Sequence, residues 1–179
     1  MISFFAATLP MQLPNMPPAM SSASFLEQAR DAMPARDVAA LEALAGDLPS
    51  GHPFVVAWRA HETQLRNACA RIRAARLGQD PAQWIRPHAG YDVALERGVA
   101  AAFQEPTPLR REQALDAIRW RKAQELAGPE SISSGALLAY YLHLRIAERE
   151  AAWDPDAGTR RLRDLADPSA VQHDTKDEQ

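Results

Sequence analysis

The segment between residues 54 and 77 constrains the fold of this chain more than any other feature. Its apolar residues recur at spacings of three, four and seven, which places them on one face of a single long helix. They are Phe54, Trp58, Leu65, Cys69, Ile72 and Ala75. Because burial of a large apolar side chain contributes roughly 1.5 to 3 kcal/mol, we expect this face to pack against other helices.

Capping signals predict several more helices. Ser24-Phe25-Leu26-Glu27 is typical of a capping box, Pro34 separates the first helix from a second one, and Gly46 and Gly78 supply left-handed ends. Further along the chain, Asp80-Pro81 predicts a short turn, Thr107-Pro108 predicts a helix start, and Ser133 or Ser134 predicts another helix cap. Periodic apolar residues predict helices over 92–103, 109–126 and 135–152, with a last short one after Asp154-Pro155 that carries Leu162 and Leu165. The segment 135–152 is apolar on more than half of its circumference, so we expect it to be central.

These signals predict an all-α protein, a single-domain array of about six to eight antiparallel helices. At 179 residues the chain has the length of one domain. We expect that domain to span residues 1–166, with residues 1–21 as an extended arm broken by prolines, and residues 167–179 as a flexible polar tail. The arm carries Phe4, Phe5 and Leu9, which would dock on the protein's own core or on a partner, the core being favoured.

Composition restricts where the chain can work. A net charge of −3 gives no general attraction to nucleic acid or anionic lipid, and a single cysteine, Cys69, excludes an internal disulfide and is typical of a reducing cytoplasm. The first residues lack the basic flank of a secretory signal, and no stretch reaches the length of a membrane span. We therefore expect a cytoplasmic protein that reaches a membrane only through its partners.

No pattern in the sequence indicates a catalytic centre, a metal site or a cofactor. The five histidines have no pair at helical ligand spacing, and Cys69 lies on the apolar face, where a thiol is usually inert. Loops of the phosphate-binding type are also missing. We therefore predict a protein that is not an enzyme. The alternative is a small helical enzyme with an acid–base pair such as His61 and Glu62 in a cleft.

Two groups of residues are candidates for binding a partner. The first is the arginine face of the long helix, whose only acid is Glu62; its members are Arg59, Arg66, Arg71, Arg73 and Arg76. Such a face is solvated or lies along an acidic helix, and a weaker alternative is nucleic-acid binding. The second is Arg119-Trp120-Arg121-Lys122, which either packs at the edge of the core or anchors a partner, since arginine and tryptophan dominate interface hot spots.

Three parts of the sequence carry a resemblance to a known family. They are FFAATLP at 4–10 with SASFL at 22–26; residues 58–78 with LRNA at 65–68 and AARLG at 74–78; and LRREQALDAIRW at 109–120 followed by ALLAYYLHLRIAER at 136–149. In this order and spacing, over about residues 3–165, the chain resembles an uncharacterised family encoded within bacterial V-type (A/V-like) ATP synthase operons.

The resemblance implies a place in an assembly. This family stands where the gene for the C-type linker (d-type in eukaryotes) is otherwise found, and that linker is a helical protein that seats the central rotor shaft on the membrane ring. The expected function is thus a structural component or assembly factor of a V-type ATPase, with the rotor stalk and the membrane ring as partners. The family has no established active-site residues, so the resemblance assigns none here.

Overall fold

The computed structural model describes residues 2–153 and residue 158 of the chain. Within them the protein is all-α, as predicted, with seven α-helices, one short 3-10 helix and no strand. The α-helices are α1 (Ile2–Thr8), α2 (Ser22–Ala32), α3 (Ala35–Gly46), α4 (Pro53–Leu77), α5 (Val93–Ala102), α6 (Pro108–Ala127) and α7 (Ser134–Ala151), and the 3-10 helix is Pro81–Trp84. The final helix predicted after residue 154 and the tail at 167–179 lie outside the described residues.

Most of the predicted helix boundaries are confirmed. Pro34 lies between α2 and α3, and Gly78 ends α4 in the left-handed region with φ of 64°. The side chains of Asp80, Thr107 and Ser133 each accept a hydrogen bond from an amide in the first turn that follows. These caps satisfy amides that have no partner inside their own helix, so the local signals alone place these ends correctly.

The prediction of an extended arm is wrong for residues 2–8, which form α1. Prolines prevent helix formation only from Pro10 onward, and the residues before it can form a helix. Phe5 is buried and its ring lies 5.5 Å from that of Phe25 in α2, whereas Phe4 is exposed. The beginning of the chain therefore docks on the protein's own core through one of its two aromatic rings.

Two predicted caps are displaced by a few residues. The capping residue of α2 is Ser21, whose Oγ accepts from the amide of Ser24, so the helix begins earlier than the Ser24 capping box predicts. At the end of α3 the left-handed residue is Asp47, with φ of 53°, and Gly46 is still helical. A short polar side chain such as aspartate tolerates the left-handed conformation. At the start of α2, the closely spaced Ser21, Ser22 and Ser24 offer more than one possible capping residue.

The core is made of two clusters that share α4 and α6. The first joins α1, α2, α3 and α7 to the N-terminal half of α4 and the C-terminal end of α6, with Phe25, Leu41, Val55 and Leu138 fully enclosed. The second joins α5 to the C-terminal half of α4 and to α6, and its large members are Leu65, Leu95, Val99, Phe103, Leu115 and Ile118. The clusters meet at a layer of polar residues on α4 and α6, and this layer positions the candidate site.

The apolar faces of α4 and α7 lie where the periodicity places them, with one exception. On α4, Trp58, Leu65 and Cys69 are buried as predicted, whereas Ala75 is exposed. Ala74 is buried instead; it lies seven residues after Asn67, on a different side of the helix, where the segment after α4 packs. Helix α7 is central as predicted and contacts α2, α3 and α6.

Candidate functional site

A network of ion pairs occupies the polar layer between the two clusters. In α6, Arg119 donates from Nε to Oε1 of Glu62 in α4 at 2.8 Å, and from Nη1 to Oδ1 of Asp116 at 2.8 Å. Arg149 of α7 donates to the same Asp116 oxygen. The Asp116 side chain is only 1% exposed and that of Arg119 13%. Two carboxylates and two guanidinium groups thus connect three helices.

Burial and charge act differently on the members of this network. Burial raises the pKa of the Asp116 carboxyl, although Arg149 and Arg119 oppose the rise. Burial also disfavours the charged form of Arg119, but the charges of Glu62 and Asp116 outweigh it and raise the pKa of Arg119. Both pKa values are raised, but the prevailing cause differs. Burial prevails at Asp116, whose Oδ2 lacks a hydrogen-bond partner in the described part of the chain, whereas the two carboxylate partners prevail at Arg119.

A groove of about 750 Å³ opens beside the network, between the end of α3 and helices α4, α6 and α7. This volume is within the usual range of roughly 300 to 1,000 Å³ for ligand sites. Six arginines line the groove against three acids, and Asp116 pairs with two of these arginines, so an excess of two positive charges remains. The arginines are Arg59, Arg66, Arg86, Arg119, Arg145 and Arg149, and the acids are Asp47, Glu62 and Glu148. The apolar lining is Leu44, Ala45, Trp58, Leu142 and Ile146.

Two buried amide side chains on α4 hold the loop that brings Arg86 to the groove. Asn67 donates to the carbonyl of Arg86 at 2.7 Å and accepts from its amide at 3.0 Å. Gln64 makes the same reciprocal pair with the backbone of Asp92, at 2.8 and 2.9 Å. Both are almost fully enclosed, at 2% and 3% exposure. Neither residue could be identified from the sequence, because a polar residue on an amphipathic helix gives no local sign of a distant backbone partner.

The arginine face predicted on the long helix is divided in the folded protein. Arg59 and Arg66 face the groove. Arg71 pairs with Glu96 of α5 at 2.6 Å, and the guanidinium groups of Arg73 and Arg76 lie over the ring of Phe103, 5.8 and 5.1 Å from its centre. The five arginines of the predicted face therefore lie in two different surroundings, the groove and the contact with α5 and Phe103.

The second predicted group is likewise split between the core and the surface. Arg119 is a buried member of the ion-pair network, and Arg121 is exposed at another cavity. Trp120 is 6% exposed, and its indole stacks on the imidazole of His143 with ring centres 3.8 Å apart. The burial of Trp120 agrees with the core interpretation and leaves little of this side chain for a partner. Lys122 pairs with Glu125 at 2.9 Å.

The alternative acid–base pair is not assembled in one cleft. His61 lines a separate cavity of about 220 Å³, where burial lowers its pKa and its Nε2 has no partner among the described residues. Glu62 lies on the other side of α4, in the groove, where it holds Arg119. Neighbouring residues on a helix point about 100° apart, and the two side chains line different cavities.

Neither an activated thiol nor a metal-binding cluster occurs among the residues that the structure describes. Cys69 is buried and burial raises the pKa of its thiol, which disfavours the reactive thiolate. No group of three or more histidine, cysteine or acidic side chains in residues 2–153 is suited to a metal ion. Among the described helices, none is both long enough and apolar enough to cross a bilayer.

Comparison with family models, with curated proteins and with solved structures finds no match to this chain.

Proposed function

We propose that this protein is a non-catalytic structural subunit or assembly factor of a V-type ATPase, which connects the central rotor stalk to the membrane ring. Its place is the cytoplasmic side of the membrane, which it reaches through its partner subunits. The proposal is based on the resemblance of residues 4–10, 22–26, 58–78, 109–120 and 136–149 to proteins encoded in ATP synthase operons. ATP hydrolysis would then belong to the neighbouring subunits.

One observation supports this proposal above the others: the segments that carry the resemblance also build the groove. Residues 58–78 lie on α4, 109–120 on α6 and 136–149 on α7. Most of the groove lining belongs to these three segments, including Arg66, Arg119 and Arg149. A surface made by the most recognisable part of a chain is where a shared partner would bind.

The state of the charged groups favours a scaffold over an enzyme. Glu62 lines the groove, Asp116 belongs to the same ion-pair network, and both are paired with Arg119. A general acid or base needs a proton that it can exchange with a substrate, whereas these two carboxylates join helices. Paired in this way, they give the groove a rigid wall.

Co-purification tests the proposal. The protein with an affinity tag after residue 179 is isolated from its own host under mild detergent, and the bound proteins are identified by mass spectrometry. We expect stalk and ring subunits of the V-type ATPase in stoichiometric amounts. A matched tag on an unrelated cytoplasmic helical protein is the control.

Deletion of the gene provides the decisive functional test. We expect ATP-driven ion transport in isolated membrane vesicles to fall, because the rotor stalk would no longer be seated on the ring, while ATP hydrolysis by the detached catalytic part persists. Recovery of a fully assembled and coupled ATPase from the deletion strain would refute the proposal.

A further inference from the structure

The arginines of the groove differ in whether their guanidinium groups are already paired with an anionic group of this protein. Arg119 at the floor is fully committed to Glu62 and Asp116. Arg59 is partly committed, because its Nη2 donates to the carbonyl oxygens of Ala43 and Leu48. Arg149 is paired with Asp116. These three arginines are thus neutralised or used, and a small anion bound beside them would find no free guanidinium group.

The arginines at the rim are available. Arg66 lies 3.8 Å from Glu62, outside hydrogen-bond distance, and its side chain is 74% exposed. Arg145 lies 3.9 Å from Glu148 and donates from Nη1 to the hydroxyl of Tyr141 at 3.1 Å, a neutral partner that leaves its charge uncompensated. Glu148 is occupied elsewhere, because its two carboxylate oxygens accept from the amide and the hydroxyl of Ser22 at 2.6 and 2.7 Å. Exposed pairs at such distances contribute little, so their cations can be recruited by a ligand.

The third arginine at the rim, Arg86, has a backbone that is fixed by hydrogen bonds. Arg86 is exposed and makes no ion pair with the described residues, while its backbone is fixed by Asn67. Leu44, Leu142 and Ile146 also line the groove, and because all three are less exposed than the rim arginines, they form an apolar part of its floor. A cationic rim around an apolar floor is complementary to a segment that carries carboxylates on its flanks and apolar side chains on one face.

We propose that this groove binds an acidic amphipathic helix of a partner protein, whose apolar side chains enter the floor while its carboxylates pair with Arg66, Arg86 and Arg145. The inference rests on the proposed function in that a structural subunit needs a partner surface. It goes further by assigning the surface and the chemistry of the segment that it takes. The observation that favours a peptide over a small anion is that only the rim cations are free, so the ligand must reach the rim and the floor together.

Fluorescence anisotropy on the purified full-length protein tests this inference. The probe is a labelled synthetic peptide of about 18 residues made of glutamate and leucine, with leucines at helical spacing on one face. A peptide with lysine in place of every glutamate serves as the charge control, and unlabelled inorganic tripolyphosphate serves as the small-anion competitor. Circular dichroism of each protein variant verifies that it is folded.

Matched charge reversals separate the groove from general electrostatics. The double variant Arg66→Glu/Arg145→Glu reverses two rim arginines. The control variant Arg36→Glu/Arg97→Glu makes the same change of charge at two exposed arginines that do not line the groove. We expect the glutamate peptide to bind the wild type and the control alike. The rim variant should bind it at least about tenfold more weakly, since each reversal replaces an attraction by a repulsion.

Three outcomes would overturn the inference. They are equal loss of binding in the rim variant and the control variant, equal binding of the lysine peptide, and displacement of the peptide by tripolyphosphate at concentrations near that of the protein. Failure of the proposed function is a separate result. If the peptide behaves as expected but no ATPase subunit co-purifies with the tagged protein, the groove has an acidic partner in another assembly.

Discussion

Acidification should destabilise this protein through His143 in a way that can be isolated by one substitution. The imidazole is 8% exposed, stacks on Trp120 and donates from Nε2 to the carbonyl oxygen of Trp120 at 3.2 Å. Burial lowers its pKa from 6.5 to about 4, although the hydrogen bond to the carbonyl opposes the shift. No charged side chain contributes, so the surrounding apolar packing is the cause.

The sign and size of the effect follow from proton linkage. Below pH 6.5 the unfolded chain binds a proton at this residue, whereas the folded protein does not bind one until about pH 4. The stability present above pH 6.5 is therefore lost as the pH falls through this window. At about 1.36 kcal/mol per pKa unit, the loss reaches roughly 3 kcal/mol near pH 4 and roughly 2.5 kcal/mol near pH 4.5.

Urea unfolding near pH 7.5 and near pH 4.5 measures this loss for the wild type and for His143→Phe. Phenylalanine keeps a flat ring against Trp120 but cannot titrate. The variant lacks the hydrogen bond to Trp120 at both pH values, so this loss cancels in the comparison. The pH-dependent contributions of His61 and of the acidic residues are common to both proteins and cancel as well. We expect the wild type to lose about 2.5 kcal/mol more than the variant. Equal losses in the two proteins would refute the reasoning.

Three further substitutions test the packing that positions the groove, each by chemical denaturation with circular dichroism as the readout. Trp120→Ala should cost roughly 3 to 5 kcal/mol because the indole is core, and a cost below about 1 kcal/mol would contradict its burial. Asn67→Ala should cost roughly 1 to 3 kcal/mol, because it leaves the amide and carbonyl of Arg86 without partners; unchanged stability would show that water replaces the pair. Gly135→Ala should destabilise by roughly 1 to 3 kcal/mol, because its Cβ would lie 2.9 Å from a carbonyl oxygen of α6. The control Gly51→Ala meets nothing within 4 Å and should change little, so equal effects would contradict the close approach.

The helical class and most of the helix ends could be predicted from residues close together in the chain. The periodicity of residues 54–77 and the caps at Thr107 and Ser133 act over one or two turns, and the folded protein confirms them. The beginning of α1 could not be predicted in this way, because residues 2–8 carry no capping signal. Its helix is supported instead by the contact of Phe5 with Phe25.

The groove could be predicted only in part. The sequence analysis identified the arginines at 59, 66 and 119 as candidates, but it could not predict their surroundings. Arg59 donates to a loop carbonyl, Arg66 is exposed to solvent, and Arg119 is paired with two carboxylates. The contribution of Asn67 was not predictable, since its partner is 19 residues away and is a backbone group. Because backbone groups are the same at nearly every residue, the sequence does not show which of them a side chain will bind.

By itself the sequence determines that this chain forms amphipathic helices with a central apolar one, because helix periodicity and capping depend on neighbours a few residues apart. Only the tertiary structure decides which arginines remain free. Arg119 and Arg66 have the same charge, yet the packing of α4 against α6 buries the first between carboxylates and leaves the second at the rim. The strength of a charged group's electrostatic interactions depends on its burial and its partners. Both are determined by contacts between residues far apart in the chain.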